Sequence, residues 1–166
     1  MKVPFVNLGA QFESLKTELV DTFVRVGSSG QYILGPEVEC FEAGLANITD
    51  TKYAIAVANG TDALELVLAA WGIGPGDEVI TAPNSFIASA GAVKAVGANV
   101  VFADVGEDYN IDPLEIEKKI TPKTKVIIPV HLTGNPANMT AINAIAKRHQ
   151  LKVLEDAAQA IGATHK

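Results

Sequence analysis

Lys152-Val153-Leu154-Glu155-Asp156-Ala157-Ala158-Gln159 runs from a short apolar segment into two acids and then an amide. Val153 and Leu154 suit a strand buried in a parallel sheet, where both faces are covered and polar alternation is lost. That reading sets Glu155 and Asp156 at the strand's carboxyl end, the edge at which open α/β sheets hold their ligands. A carboxylate in such a place needs a cation, a ring of backbone N–H groups or a protonated ligand nitrogen, because a buried charge without a partner is costly or is lost to protonation. The octapeptide alone also allows Asp156 simply to cap the turn into the next segment.

Working outward, the chain alternates strand and helix from Asn47 on. Strands are predicted over Tyr53–Ala58, Glu78–Thr81, Val100–Val105, Lys125–His131 and from Lys152. Between them, the turn Asn59-Gly60-Thr61-Asp62 opens a helix with Leu64, Val67, Leu68 and Trp71 at i, i+3, i+4 and i+7. Further helices are predicted over Ile87–Val96, over Pro113–Lys119 with Asp112 as cap, and over Ala141–His149. Short connections and this alternation predict an α/β fold, one mostly parallel sheet with helices on both faces. Two helices precede it. Gln11–Val26 carries Phe12, Leu15, Leu19 and Phe23 on one stripe that needs a surface to lie on, and a second helix runs over Glu37–Ala46. Tyr32, in the lead-in to that second helix, either covers core or touches a ligand or partner. No repeat, low-complexity tract or linker divides the chain.

Right-handed crossovers send all strands of such a unit the same way, so residues after each strand gather at one rim. Thr61, Phe86, His131 and Asp156 are the groups so placed. Gly60 and Thr61 stand where a helix start offers close backbone approach, a hydroxyl and free N–H groups to an anion. Asp62 repels an anion through its carboxylate, so its side chain is expected to turn away while its N–H faces the ligand; the alternative is that Thr61 or Asp62 is an ordinary cap. Phe86 either stacks on a planar ligand or joins the core, and His131 is either a ligand contact or a satisfied structural histidine. Gly72-Ile73-Gly74 follows a helix and precedes a strand, the reverse of a dinucleotide loop, which disfavours a Rossmann oxidoreductase.

The 166 residues carry a formal net charge of −6, with 13 basic residues scattered along the chain. That balance argues against nucleic acid or an anionic membrane as partner. Cys40 is the single cysteine, which excludes a disulfide framework and a cysteine metal site. No basic-then-apolar leader precedes Pro4 and no run reaches the length of a membrane span, so a cytoplasmic protein is expected. The sequons at Asn47, Asn59 and Asn138 then carry no glycosylation meaning.

A helix start for phosphate, an aromatic face and a carboxylate for a protonated ring nitrogen together describe a site for pyridoxal 5'-phosphate. Tyr32-Ile33-Leu34-Gly35-Pro36-Glu37, Asn59-Gly60-Thr61-Asp62-Ala63-Leu64, Gly74-Pro75-Gly76-Asp77-Glu78-Val79, Ser85-Phe86-Ile87-Ala88-Ser89 and Glu155-Asp156-Ala157-Ala158-Gln159 closely resemble, in order, motifs of the DegT/DnrJ/EryC1/StrS sugar aminotransferases. The resemblance covers essentially the whole chain. It implies residues 1–166 as the N-terminal part of the large domain of a fold-type I, aspartate aminotransferase-like enzyme, a homodimer with active sites at its interface. It makes Thr61 and Asp62 phosphate contacts, Phe86 the stacking aromatic, Asp156 the partner of the pyridine nitrogen and Gln159 the contact to the ring hydroxyl. It further implies a nucleotide-linked keto-sugar and an amino donor as substrates, with the Gly30–Pro36 lead-in closer to the 3-keto branch than to the 4-keto branch.

Two departures stand out. Gly91 occupies a position where many relatives carry asparagine, which touches only a local contact. The chain also stops at Lys166, before the Ser-x-x-Pro-Ser-Lys-type segment whose lysine bonds the cofactor, and before the C-terminal small domain. Lys166 follows the Asp156 strand too soon to take that lysine's place. The chain is therefore expected to be part of a longer enzyme and inactive alone. Two other readings stay open, a sugar dehydratase of the same family with histidine at the lysine position, and a non-catalytic ligand-binding or interaction domain that keeps the fold.

Overall fold

A computed structural model describes residues 3–165; Lys166, weighed above as a lysine candidate, lies outside the described residues. The chain forms two compact units, one running to Ala56 and the other starting at Val57.

The first unit holds α1 (Leu8–Ser29) and α2 (Pro36–Ile48). Asn7 starts α1 by accepting from the Ala10 N–H through Oδ1 at 3.1 Å, and Gly30 ends it in the left-handed conformation that favours glycine. The helix thus extends beyond the predicted Gln11–Val26 at both ends. Its apolar stripe stays open, with Phe12, Leu15, Leu19 and Phe23 all between 41% and 79% exposed, and no residue of α1 or α2 is buried. An Arg25–Glu37 ion pair links the two helices, and the Glu37 carboxylate raises the Arg25 guanidinium pKa by hydrogen bonding and charge. Tyr32 does not cover core, contrary to one of its two expected roles: it is 72% exposed and its hydroxyl donates to the Gly27 carbonyl.

The predicted strand Tyr53–Ala58 does not form. A strand needs a ladder partner, and among the described residues this segment has none; Tyr53 and Ile55 remain 71% and 81% exposed. The boundary between the two units falls inside it.

The second unit begins with α3 (Gly60–Ala70) and continues through β1 (Glu78–Thr81), α4 (Ile87–Ala95), β2 (Asn99–Phe102), α5 (Pro113–Lys119), β3 (Thr124–Ile128), α6 (Met139–His149) and β4 (Lys152–Val153). Among the described residues the sheet is therefore four-stranded rather than five-stranded, wholly parallel, in the order β2-β1-β3-β4. Successive strand residues face opposite ways. Val79, Val126 and Ile128 pack with Leu64, Leu68, Ala92 and Val93 of α3 and α4, while Ile80 and Ile127 pack with Ile116 of α5 and Met139, Ile142 and Ile145 of α6. The step from β1 to β2 runs in one direction along the sheet and the later steps run in the other. Connections of one hand then put α4 on the face opposite α5 and α6. β3 is shorter than the predicted Lys125–His131 because Pro129 has no N–H to donate; the ladder resumes as a single parallel bridge between Val130 and Asp156.

Candidate active site

The strand order reverses between β1 and β3, and at their carboxyl ends lies a cleft of about 350 Å³. Each wall comes from a different connection. Asn59, Gly60 and Thr61 supply the start of α3, Phe86 and Ala88 the segment after β1, and Val130 and Leu132 the segment after β3. Asp156, Ala158 and Gln159 supply the segment after β4. Of the rim group predicted from the sequence, Thr61, Phe86 and Asp156 share this cleft with Gly60 and Gln159. His131 and Asp62 are not among its lining residues. A larger hollow, about 460 Å³, sits at the opposite sheet edge around Thr124, Lys125 and His149, and gathers none of the predicted site residues.

The cap of α3 is Asn59, not Thr61 or Asp62. Asn59 Oδ1 accepts from the Asp62 N–H at 2.9 Å, and the Asn59 carbonyl accepts from the Ala63 N–H. Asp62 therefore does not offer a free N–H as expected. Among the described residues the N–H groups of Gly60 and Thr61 make no hydrogen bond, and neither does the Thr61 hydroxyl, so these are the open donors of the first turn. Helix polarity adds partial positive charge at the same place. Asn59 is a polar lining residue that the sequence reading passed over as a site group, as it did the apolar Leu64, Ala88, Val130, Leu132 and Ala158; the signal for Asn59 was an Asn directly before the first helical residue.

Phe86 stands one residue before α4, 73% exposed, with an extended backbone that keeps its ring out of the helix face packed on the sheet. On the facing wall, Asp156 Oδ1 accepts from the Ala158 N–H at 3.2 Å, a local turn cap. The capping reading of this residue is what the geometry gives, while Oδ2 has no hydrogen-bond partner among the described residues and the side chain lines the cleft. Side-chain amides tie the neighbouring rim loops together: Asn84 Nδ2 donates to the Tyr109 carbonyl at 3.0 Å, and Asn110 Nδ2 to the Asn135 carbonyl at 3.2 Å. Gly134 lets the turn after β3 approach the last wall, since a Cβ there would lie 3.2 Å from the Gln159 carbonyl.

A helix start with open donors, an exposed aromatic ring and a half-free carboxylate facing one cleft suit a planar, phosphorylated, protonatable heterocycle. No lysine lines the cleft among the described residues.

Residues 13–166 match the DegT/DnrJ/EryC1/StrS aminotransferase family. The chain is 49% identical over 166 residues to the dTDP-3-amino-3,4,6-trideoxy-alpha-D-glucose transaminase of Streptomyces venezuelae, covering 99% of this chain and 44% of that protein. It is 47% identical to the UDP-2-acetamido-2-deoxy-3-oxo-D-glucuronate aminotransferase of Pseudomonas aeruginosa, covering 99% of this chain and 46% of that protein. Its fold superposes with a TM-score of 0.94 on the crystal structure of NtdA from Bacillus subtilis with bound cofactor PMP, at 42% identity, covering 98% of this chain and 38% of that one. The chain thus spans less than half the length of these relatives. No described helix is long and apolar enough to cross a membrane. The parallel sheet, the cleft at its switch point and the match along nearly the whole chain lead to one conclusion: this chain belongs to the DegT/DnrJ/EryC1/StrS aminotransferase family.

Proposed function

We propose that the protein carrying this chain is a pyridoxal 5'-phosphate-dependent aminotransferase that moves an amino group, from a donor such as glutamate, onto the keto group of a nucleotide-linked deoxysugar. The observation that carries this reading is the convergence of the α3 start, Phe86 and Asp156 on one cleft at the sheet's switch point. The residues present fit the cofactor. Gly60 and Thr61 bind the phosphate through two N–H groups and a hydroxyl. Asp156 holds a proton on the ring nitrogen through Oδ2, Gln159 donates its side-chain amide to the ring oxygen, and Phe86 covers one ring face and excludes water. Asp62 contributes by ordering the turn from its bond to Asn59. When bound, the cofactor supplies an electron sink for the charge left on the amino carbon as its proton departs.

Residues 1–166 are, on this reading, the N-terminal part of the large domain. The lysine that bonds the cofactor and moves the proton comes from another part of the protein, consistent with a cleft that no described lysine lines. A chain of these residues alone then lacks the group that moves the proton and does not turn over. The names of the two relatives, a 3-amino-sugar transaminase and a 3-oxo-sugar aminotransferase, support C3 as the site of amination. A homodimer belongs to the same proposal, supported by the open apolar stripe of α1.

The test uses the full-length protein. Borohydride reduction of the protein with its cofactor is expected to leave a single lysine adduct outside residues 1–166. Asp156→Ala is expected to weaken cofactor affinity about ten- to hundredfold, the scale of one charge-assisted hydrogen bond, with unchanged far-UV circular dichroism. Equal affinity in the two proteins sinks the assignment of Asp156.

A further inference from the structure

His131 is 4% exposed and does not line the cleft, yet it touches the segment that carries Asp156 in two ways. Its Nδ1 accepts from the Ala137 N–H at 3.1 Å, which places the ring proton on Nε2, and Nε2 donates to Glu155 Oε2 at 3.1 Å. Its main-chain N–H donates to the Asp156 carbonyl at 3.0 Å, while the Asp156 N–H donates to the Pro129 carbonyl at 2.9 Å. Such a clamp has a purpose here. β4 is two residues long, and beyond Val153 the main-chain bonds that hold the segment to the sheet are, among the described residues, the Leu154 N–H bond to the Ile127 carbonyl and the Val130–Asp156 bridge.

Those ladder bonds keep residues 153–156 extended, so their side chains alternate between faces. Leu154 packs with the α3 and α4 core and Val153 with the α5 and α6 core. Asp156 shares the side of Leu154, toward the cleft, and Glu155 shares the side of Val153. Fixing Glu155 on its side fixes the roll of the segment, and with it the direction of the Asp156 carboxylate.

We propose that His131 is a positioning residue for Asp156, acting through Glu155. The proposal rests on the reading of Asp156 as the cofactor's ring-nitrogen partner, and its test has one arm that does not depend on the cofactor. Glu155→Ala removes the acceptor, Glu155→Gln keeps a carbonyl for the Nε2–H, and His131→Asn keeps an acceptor for Ala137 but cannot reach Glu155. All three are made in the full-length protein.

Hydrogen–deuterium exchange of the cofactor-free protein is expected to rise about tenfold in the peptide around residues 154–157 for Glu155→Ala and His131→Asn, to stay near wild type for Glu155→Gln, and not to change in β1. Cofactor affinity is expected to fall about tenfold in the first two variants and to recover in Glu155→Gln, with the unfolding midpoint of Glu155→Ala lowered only modestly, by the loss of the acceptor for the His131 Nε2–H. Wild-type exchange and affinity in Glu155→Ala overturn the proposal, as does an affinity loss that only follows lost thermal stability. If the wild-type protein binds no cofactor, the cofactor reading fails by itself; a rise in exchange then still supports the clamp, and its absence overturns it.

Discussion

Gly134 and Gly91 show how differently one residue type is constrained within the same unit. Gly134 has φ +82°, and a Cβ there would meet the Gln159 carbonyl at 3.2 Å, so both its backbone and its surroundings require glycine. Gly134→Ala is expected to cost about 1–2 kcal/mol in urea unfolding, the scale of a left-handed non-glycine residue. Gly91 sits inside α4 with open space where a Cβ would go. Gly91→Ala, measured in the same way, is expected to stabilise by up to about 1 kcal/mol through helix propensity. The sequence marks neither difference, because φ and close approach are set by what the turn lies against. Thr61, Phe86, Asp156 and Gln159 were easier to single out, since each follows a strand or opens a helix. The partnership of His131 with Glu155 joins residues 24 positions apart and carries no local signal.

At the scale of elements, local chemistry is legible where it is self-contained. Asp112 before Pro113 predicts the start of α5, and Asp112 Oδ1 accepts from the Leu114 N–H at 2.8 Å. The start of α3 depends on Asn59 in the same way. Asn59→Ala is expected to cost about 1 kcal/mol by loss of the cap, read as a lowered midpoint in chemical unfolding. It also releases the Asp62 N–H into the first turn, so phosphate affinity at this turn is expected to change little while stability falls. A large loss of affinity at unchanged stability would instead make Asn59 a direct ligand contact. The segment Tyr53–Ala58 has the composition of a strand but no ladder among the described residues, which is why composition misled there.

For the whole molecule, the contrast lies between a second unit with core on both sheet faces and a first unit with no buried helical residue. An apolar stripe as open as that of α1 calls for a covering surface. Sedimentation velocity of the full-length protein is expected to give a dimer, and Leu19→Asp to shift it toward monomer; a wild-type monomer at micromolar concentration removes the dimer from the proposal. By itself the sequence determined the alternation of elements, the parallel sheet covered on both faces, and which residues follow each strand, because periodicity, caps and turn residues act over a few positions. Tertiary pairing was needed to settle that, among the described residues, four strands pair rather than five, that Asn59 rather than Thr61 or Asp62 caps α3, and that His131 meets Glu155 next to Asp156. Those outcomes depend on which backbone groups find partners across the sheet, and pairing at long range is not written in any local stretch.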